Sequence, residues 1–263
     1  LTRMCRAIEA ERQKRGWPDF LYYPIDEPST KPGAIAFMIE TLKAVQAAGV
    51  KTYVTADPTL EGFLPLKPYI DVWCTQPFAP SREEILKDRA ARKVDYWCYP
   101  NHVNGENDHT PVAGARMTYG FGFWRSGFRA LIPWIYSSSS GDPLNYLDGS
   151  AQDFFNRHEP DGTPMPVVLW EAYREGYDDH RYIHTLEQLI SQARQSPLPA
   201  AKNAAALAEK ELQEVWNAIR VQTKYKYDNL WAAEEFDVRR WQVARQILAL
   251  QEALAKPAAA GEK

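Results

Sequence analysis

The chain has 263 residues, 45% of them hydrophobic and 13% aromatic, enough to bury a substantial core. A formal net charge of −3 with a pI near 6.0 excludes the basic footprint of a nucleic-acid binder, and no apolar run reaches the length of a membrane span. Three sparse cysteines, Cys5, Cys74 and Cys98, argue against a disulfide framework and leave Cys74 with Cys98 as the pairing to consider.

In chain order, residues 2–15 read as an amphipathic helix closed by Gly16. FLYYPI (20–25) reads as a strand, with Pro24 awkward inside it. PGAIAFMIETLKAVQAAG (32–49) reads as a helix, with proline near its start and glycine at its end. KTYVTA (51–56) and IDVWCT (70–75) read as short strands. SREEILKDRAARK (81–93) reads as a helix whose Ser81 and Glu84 stand at capping-box spacing. VDYWCY (94–99) is a strand, VAGARMTYGFGFWRS (112–126) a helix ended by Gly127, and RALIPWIY (129–136) a fifth strand.

From 136 to 166 Ser, Gly, Asp and Pro dominate, and the segment reads mostly as loop. Residues 167–194 form a long helical pattern interrupted near Gly176, and SPLP (196–199) is a break. Residues 200–255 read as two helices separated near Tyr227 to Asn229. Leu212, Val215 and Ile219 mark one apolar stripe, and Phe236, Trp241, Ala244, Leu248 and Leu254 another. KPAAAGEK reads as disordered. The chain opens at Leu1 on a helical pattern with no initiator Met, so it reads as a fragment or trimmed chain. An export signal would lie upstream, which keeps a secreted or periplasmic location open.

Strands alternating with helices imply βαβ units and a parallel sheet. Continuous apolar strands fit a sheet covered on both faces. No GxGxxG or GxxxxGK[ST] follows a strand, so no nucleotide fold and no cofactor are expected.

The expected strand ends repeat one theme. They carry Tyr22, Tyr23, Asp26 and Glu27; Tyr53, Thr55 and Asp57; Trp73 and Gln76; Trp97, Tyr99, Asn101 and His102; and Trp134 and Tyr136. Ligands of parallel β/α sheets bind outside the C-terminal ends of the strands. Aromatic faces there can stack on the C–H faces of sugar rings while carboxylates and amides bond the hydroxyls, so the chemistry points to a carbohydrate. Two or more of Trp73, Trp97 and Trp134 are expected to line the pocket, with Tyr23 beside them.

Asp26 and Glu27 are adjacent, and neighbours on a strand face opposite sides. They can share a site where the strand ends. Pro28 supports that ending, since it removes an N–H and favours extended or polyproline geometry at Glu27.

"YYPIDEP", "VDYWCYPNH", "GFGFWRSGFRALIPWIY" and "WEAYREGYDDHRYI", in that order, resemble the catalytic domain of glycoside hydrolase family 123 over residues 1–190. The resemblance implies a (β/α)8 TIM-type barrel of which the C-terminal five strands are present, as a catalytic domain over 1–195, followed by a helical C-terminal extension over 196–263. An upstream segment or a second subunit would complete the barrel. It further implies a retaining β-N-acetylhexosaminidase that uses the substrate's 2-acetamido group as nucleophile, with N-acetylgalactosamine as the type substrate. Asp26 would orient the acetamido group. Glu27 would protonate the leaving oxygen and then activate water. Trp134 would supply a stacking wall, with Trp97, Tyr99 and Asn101 in the pocket.

Two other readings compete. In one, Glu27 is the acid/base and Glu106 the nucleophile of a two-carboxylate retaining glycosidase. In the other, the chain binds carbohydrate without turning it over. No metal is expected: Asp142, Asn145 and Asp148 do not match an EF-hand loop, and His102 and His109 are too isolated from other ligands to make a metal site. Arg174, Glu175 and Asp178 read as helix salt bridges, and Arg116 as a surface or helix-anchoring residue rather than one of the rim.

Overall fold

The computed structural model describes residues 1–75, 80–98, 111–132, 156–158, 161–166, 168–223, 226–227 and 230–255. They divide into two units: Leu1–Asn101 with Ser126–Trp134 and Thr223–Tyr225, and His102–Arg125 with Ile135–Gln222 and Lys226–Lys263.

The first unit is α/β. Its strands β1 (Leu21–Tyr22), β2 (Lys51–Thr55), β3 (Val72–Thr75), β4 (Asp95–Cys98) and β5 (Ala130–Leu131) lie side by side in that order, all parallel, as a curled half-barrel. The helices are α1 (Thr2–Arg15), α2 (Pro32–Gln46) and α3 (Arg82–Arg92). Gly16 closes α1 at φ 63°, the left-handed geometry that glycine adopts without a Cβ penalty. Ser81 and Glu84 form the expected reciprocal cap of α3: Ser81 N–H donates to Glu84 Oε2 at 2.7 Å, and Glu84 N–H to Ser81 Oγ at 3.2 Å.

Three elements depart from expectation. β1 stops at Tyr22, two residues before Pro24, whose ring nitrogen has no proton for a ladder bond. A 3₁₀ helix, Glu61–Tyr69, fills a stretch whose internal Pro65 and Pro68 hid it. The sheet is not evenly covered: every residue of β3 is buried, whereas β2 and β4 alternate. Val54, Trp73, Tyr96 and Cys98 face Met38, Leu42, Leu66 and Ile85 in a core where none is more than 3% exposed. The opposite face presents Tyr53, Thr55, Asp95 and Trp97, all partly exposed.

That two-sidedness also separates the thiols. Cys74 is in register with Trp97 and Cys98 with Thr75, so the two cysteines point to opposite faces. Both are buried and free, and burial pushes the Cys74 thiol up to about 12.

The second unit is mainly helical: α4 (Pro111–Tyr119), α5 (Phe121–Ser126), α6 (Val168–Gln195), α7 (Pro199–Ala218) and α8 (Ala233–Ala255). Two small pairs, β6 (Asn156–His158) with β7 (Pro164–Pro166) and β8 (Val221–Thr223) with β9 (Lys226–Tyr227), complete the described elements. Within this unit α6 packs on both α7 and α8.

Gly176 does not interrupt α6. It is a contact point: a Cβ there would stand 2.5 Å from the Arg116 carbonyl oxygen, and one on Gly120 would stand 2.7 Å from the Gly176 carbonyl oxygen. The two glycines let α6 touch the junction of α4 and α5 backbone to backbone. Leu212, Val215 and Ile219 are buried as expected. On α8 the buried row is Phe236, Val243, Ile247 and Leu250, whereas Trp241 and Leu248 are 61% and 60% exposed.

Arg116 is buried and anchors helices rather than lying at the surface. Its guanidinium grips the fully buried Asp179 carboxylate at 2.8 and 3.2 Å, and Asp237 at 2.9 Å. Arg240 reaches the same carboxylate at 2.5 Å and Glu175 at 2.7 Å. Arg174 bonds Glu171, Glu175 and Asp178 along α6.

Candidate active site at the β1–β2 rim

Alternation on β1 sends Tyr22 towards α1, where its hydroxyl donates to the Cys5 carbonyl at 3.3 Å. Tyr23 therefore turns to the open face. Its ring meets Tyr53 edge-on, with centroids 4.9 Å apart, and Tyr53 in turn meets Trp97 at 5.7 Å. An aromatic row thus crosses the open side of the sheet from β1 to β4.

The polar chemistry sits at one end of this row. The Tyr23 hydroxyl donates to Asp26 Oδ1 and also bonds the Thr55 hydroxyl. The Glu27 backbone N–H donates to Thr55 Oγ1 at 3.1 Å. A phenol has one proton, and here it goes to the carboxylate, so Thr55 is the donor to Tyr23. Each hydroxyl then gives one bond and receives one. Burial, followed by the neighbouring Asp26 carboxylate, raises the Tyr23 phenol above its ordinary value and keeps it a proton donor.

Glu27 has φ 36°, in the left-handed region, rather than the extended geometry expected before Pro28. The bond from its N–H to Thr55 accompanies this turn of the chain. A non-glycine residue there carries strain of about 1–2 kcal/mol. Asp26 and Glu27 are both exposed, and no described residue hydrogen-bonds the Glu27 carboxylate.

The other expected site residues divide three ways. Tyr23 and Trp97 belong to the aromatic row. Trp73 does not: it is fully buried on the helix-covered face, in register with Tyr96, and its indole N–H has no partner among the described residues. Tyr99, Asn101 and Trp134 lie outside the described residues, as do Gln76, His102, Glu106, His109, Tyr136 and residues 137–150. Asp57 is turn chemistry, accepting from the Thr59 N–H at 2.9 Å. Thr55 and Tyr53 carry the connections of the rim although the sequence ranked them no higher than other strand-end residues. Their signal was position: the last and third-last residues of β2, which alternation places on Tyr23's side.

Trp97 also lines a cleft of about 790 Å³ on the same unit, with Lys51, Asp71, Asp95 and Arg129 at the N-terminal ends of the strands. Its mixed charges lie at the opposite strand ends from Asp26 and Glu27. Among the described residues no group of three or more His, Cys, Asp or Glu side chains could hold a metal ion, and no helix is long and apolar enough to cross a membrane.

No protein-family model and no curated protein sequence matches the chain. Among solved structures it is similar to a family 123 glycoside hydrolase from Clostridium perfringens, studied for glycolipid glycan hydrolysis, with a TM-score of 0.54 and 12% sequence identity. The match covers 96% of this chain and 44% of that one, so the chain spans less than half the length of its structural neighbour. The likeness is one of fold.

Proposed function

We propose that the chain carries the catalytic rim of a glycosidase that cleaves β-linked 2-acetamido sugars, of N-acetylgalactosamine type, with retention and with the substrate's acetamido group as nucleophile. The observation that carries this reading is the Tyr23–Asp26–Thr55 network at the end of an aromatic row, which holds the Asp26 carboxylate and, through its backbone N–H, the neighbouring Glu27. The fold likeness to a glycoside hydrolase supports it.

In this mechanism Asp26, held at Oδ1 by Tyr23, accepts the acetamido N–H on its other oxygen. That pushes electron density to the acetamido carbonyl oxygen, which attacks the anomeric carbon. The glycosidic C–O bond breaks, and the Glu27 carboxylic acid delivers its proton to the leaving oxygen. Glu27, now a carboxylate, takes a proton from the water that opens the oxazoline at the anomeric carbon. Two inversions give net retention, with the acetamido oxygen in place of the carboxylate nucleophile of the ordinary retaining scheme. Tyr23, Tyr53 and Trp97 offer ring surface to the sugar, with Tyr99, Asn101 and Trp134 as further proposed contacts.

The parent architecture we infer is a TIM-type barrel. β1 and β5, at the two sides of the sheet, are each two residues long. Leu1, Met4 and Ile8 leave an apolar stripe on α1 exposed. A further segment or a second subunit pairing there would cover both features.

The test is turnover of an aryl 2-acetamido-β-galactoside. Glu27→Gln should abolish it. Asp26→Asn should depress it far more than it depresses turnover of the matching sugar without an acetamido group. Unchanged activity in Asp26→Asn, or capture of a covalent glycosyl-enzyme, would replace this route with the two-carboxylate scheme.

A further inference from the structure

The helical unit contains a second cleft, built by none of the residues of the β1–β2 rim. Trp124 of α5 and Trp216 of α7 meet edge to face, with centroids 5.0 Å apart and rings at 89°. Trp124 Nε1 donates to Glu187 Oε1 of α6 at 2.8 Å, which fixes the orientation of that indole. Ile190 and Leu212 supply buried apolar floor, while Arg194, Glu209 and Gln213 complete a cleft of about 460 Å³. Arg194 and Glu209 pair across α6 and α7. The volume falls in the range of small-molecule sites, about 300–1,000 Å³.

The lining selects the ligand. A cation is disfavoured because the Arg125 guanidinium already stands 5.5 Å over the Trp216 ring and Arg194 lies at the rim. An anion is disfavoured by the carboxylates of Glu187 and Glu209. A wholly apolar ligand would strip water from Glu187, Arg194, Glu209 and Gln213 without replacing their hydrogen bonds. A neutral polyhydroxylated ring meets all three demands: its C–H face covers indole surface, and its hydroxyls both donate to carboxylates and accept from amide and guanidinium.

We propose that the Trp124–Trp216 cleft is a binding subsite for a neutral saccharide. The ligand class follows from the side chains of the cleft and stands apart from the catalytic reading of Asp26 and Glu27.

The experiment uses the chain with Asp26→Asn and Glu27→Gln combined, so that nothing is turned over. Methyl β-galactoside and N,N′-diacetylchitobiose are titrated, with saturation-transfer NMR and calorimetry as readouts. At least one is expected to bind, and Trp216→Ala should weaken binding about tenfold or more. Circular dichroism checks that this variant folds. Gln213→Ala and Glu187→Ala, at exposed positions, give fold-safe versions of the same test and should weaken binding severalfold. Binding of neither sugar, or binding indifferent to Gln213 and Glu187, overturns the proposal. A chain that binds sugar at this cleft yet never cleaves an aryl glycoside overturns the catalytic reading and leaves this one standing.

Discussion

The Tyr23 hydroxyl donates its proton to the Asp26 carboxylate, three residues on, while its ring packs edge-on against Tyr53. One side chain thereby ties the acid to the sheet. Tyr23→Phe keeps the ring contact and removes the bond. A hydrogen bond to a charged group is worth about 1.5–3 kcal/mol, so on the proposed route turnover of a 2-acetamido glycoside should fall about ten- to a hundredfold. Stability in thermal unfolding should fall by less than the full value of the bond, because Tyr23 is 42% exposed and water replaces part of what is lost. Wild-type kcat/KM in the Phe variant would remove Tyr23 from the positioning of Asp26.

Glu27 offers a second test, because its backbone and its carboxylate make separable contributions. At φ 36° a Cβ is unfavourable. Glu27→Gly should therefore raise stability by about 0.5–1 kcal/mol while abolishing turnover. Glu27→Gln should abolish turnover with stability unchanged. A Gly variant no more stable than the Gln variant would show that the position is unstrained.

How far the sequence foretold this molecule depended on how local each signal was. The cap of α3 is written in Ser81 and Glu84, three residues apart, and it formed as read. Face assignment is not local. Trp73 and Trp97 look alike in sequence, yet their strands pair so that Trp73 meets Tyr96 and Trp97 meets Cys74. That offset of one residue sends one indole into the core and the other to the open face. On α8 two apolar rows compete, Trp241 with Leu248 and Val243 with Leu250, about 200° apart around the helix. Hydrophobicity favours neither, and packing against the neighbouring helices selected the second. Glu27 shows a tertiary bond, to Thr55, accompanying a geometry that the preference before proline argues against.

Gly176 was read as a helix breaker and is instead a contact. Gly176→Ala places a methyl 2.5 Å from the Arg116 carbonyl, a backbone atom that cannot swing away. Despite alanine's better helix propensity, worth about 1 kcal/mol, the substitution should destabilise by several times that amount. Gly33→Ala, in α2 with no atom within 4 Å of its Cβ, should stabilise slightly. Chemical unfolding of the pair checks both. A Gly176→Ala variant as stable as wild type would mean that α6 moves freely against the α4–α5 junction.

Asp88 should shape the acid limb of stability. Burial pushes its carboxyl up, but the Arg92 guanidinium and the Tyr96 hydroxyl outweigh that and hold it below its ordinary value. A depressed folded pKa contributes stability that is complete above the unfolded value, about 3.9, and is lost as pH falls through the folded value. Asp88→Asn should therefore cost most near neutral pH and progressively less below about pH 4. A cost that does not vary with pH would assign Asp88 a packing role alone.

Asp179 is the strongest single test of the helical unit. It has no exposed surface, and it receives Arg116 at 2.8 and 3.2 Å and Arg240 at 2.5 Å. These contacts join α4, α6 and α8 at one carboxylate. Asp179→Asn keeps the volume but leaves two guanidiniums facing each other with one negative charge removed. Breaking a buried pair in this way costs about 3–5 kcal/mol, far more than the pair contributes over an apolar replacement. Asp178 is the control. It lies one residue earlier on the same helix, only half-buried, bonded to Arg174 at 3.3 Å and Arg181 at 3.2 Å. Solvent screens such pairs, so Asp178→Asn should cost less than about 1 kcal/mol. Urea unfolding should show a large midpoint shift for the first variant, a small one for the second, and an unchanged m-value for both. Equal shifts would mean that Asp179 does not hold the helices together. A reduced m-value for Asp179→Asn would mean that α8 separates from α6 before the rest of the unit unfolds.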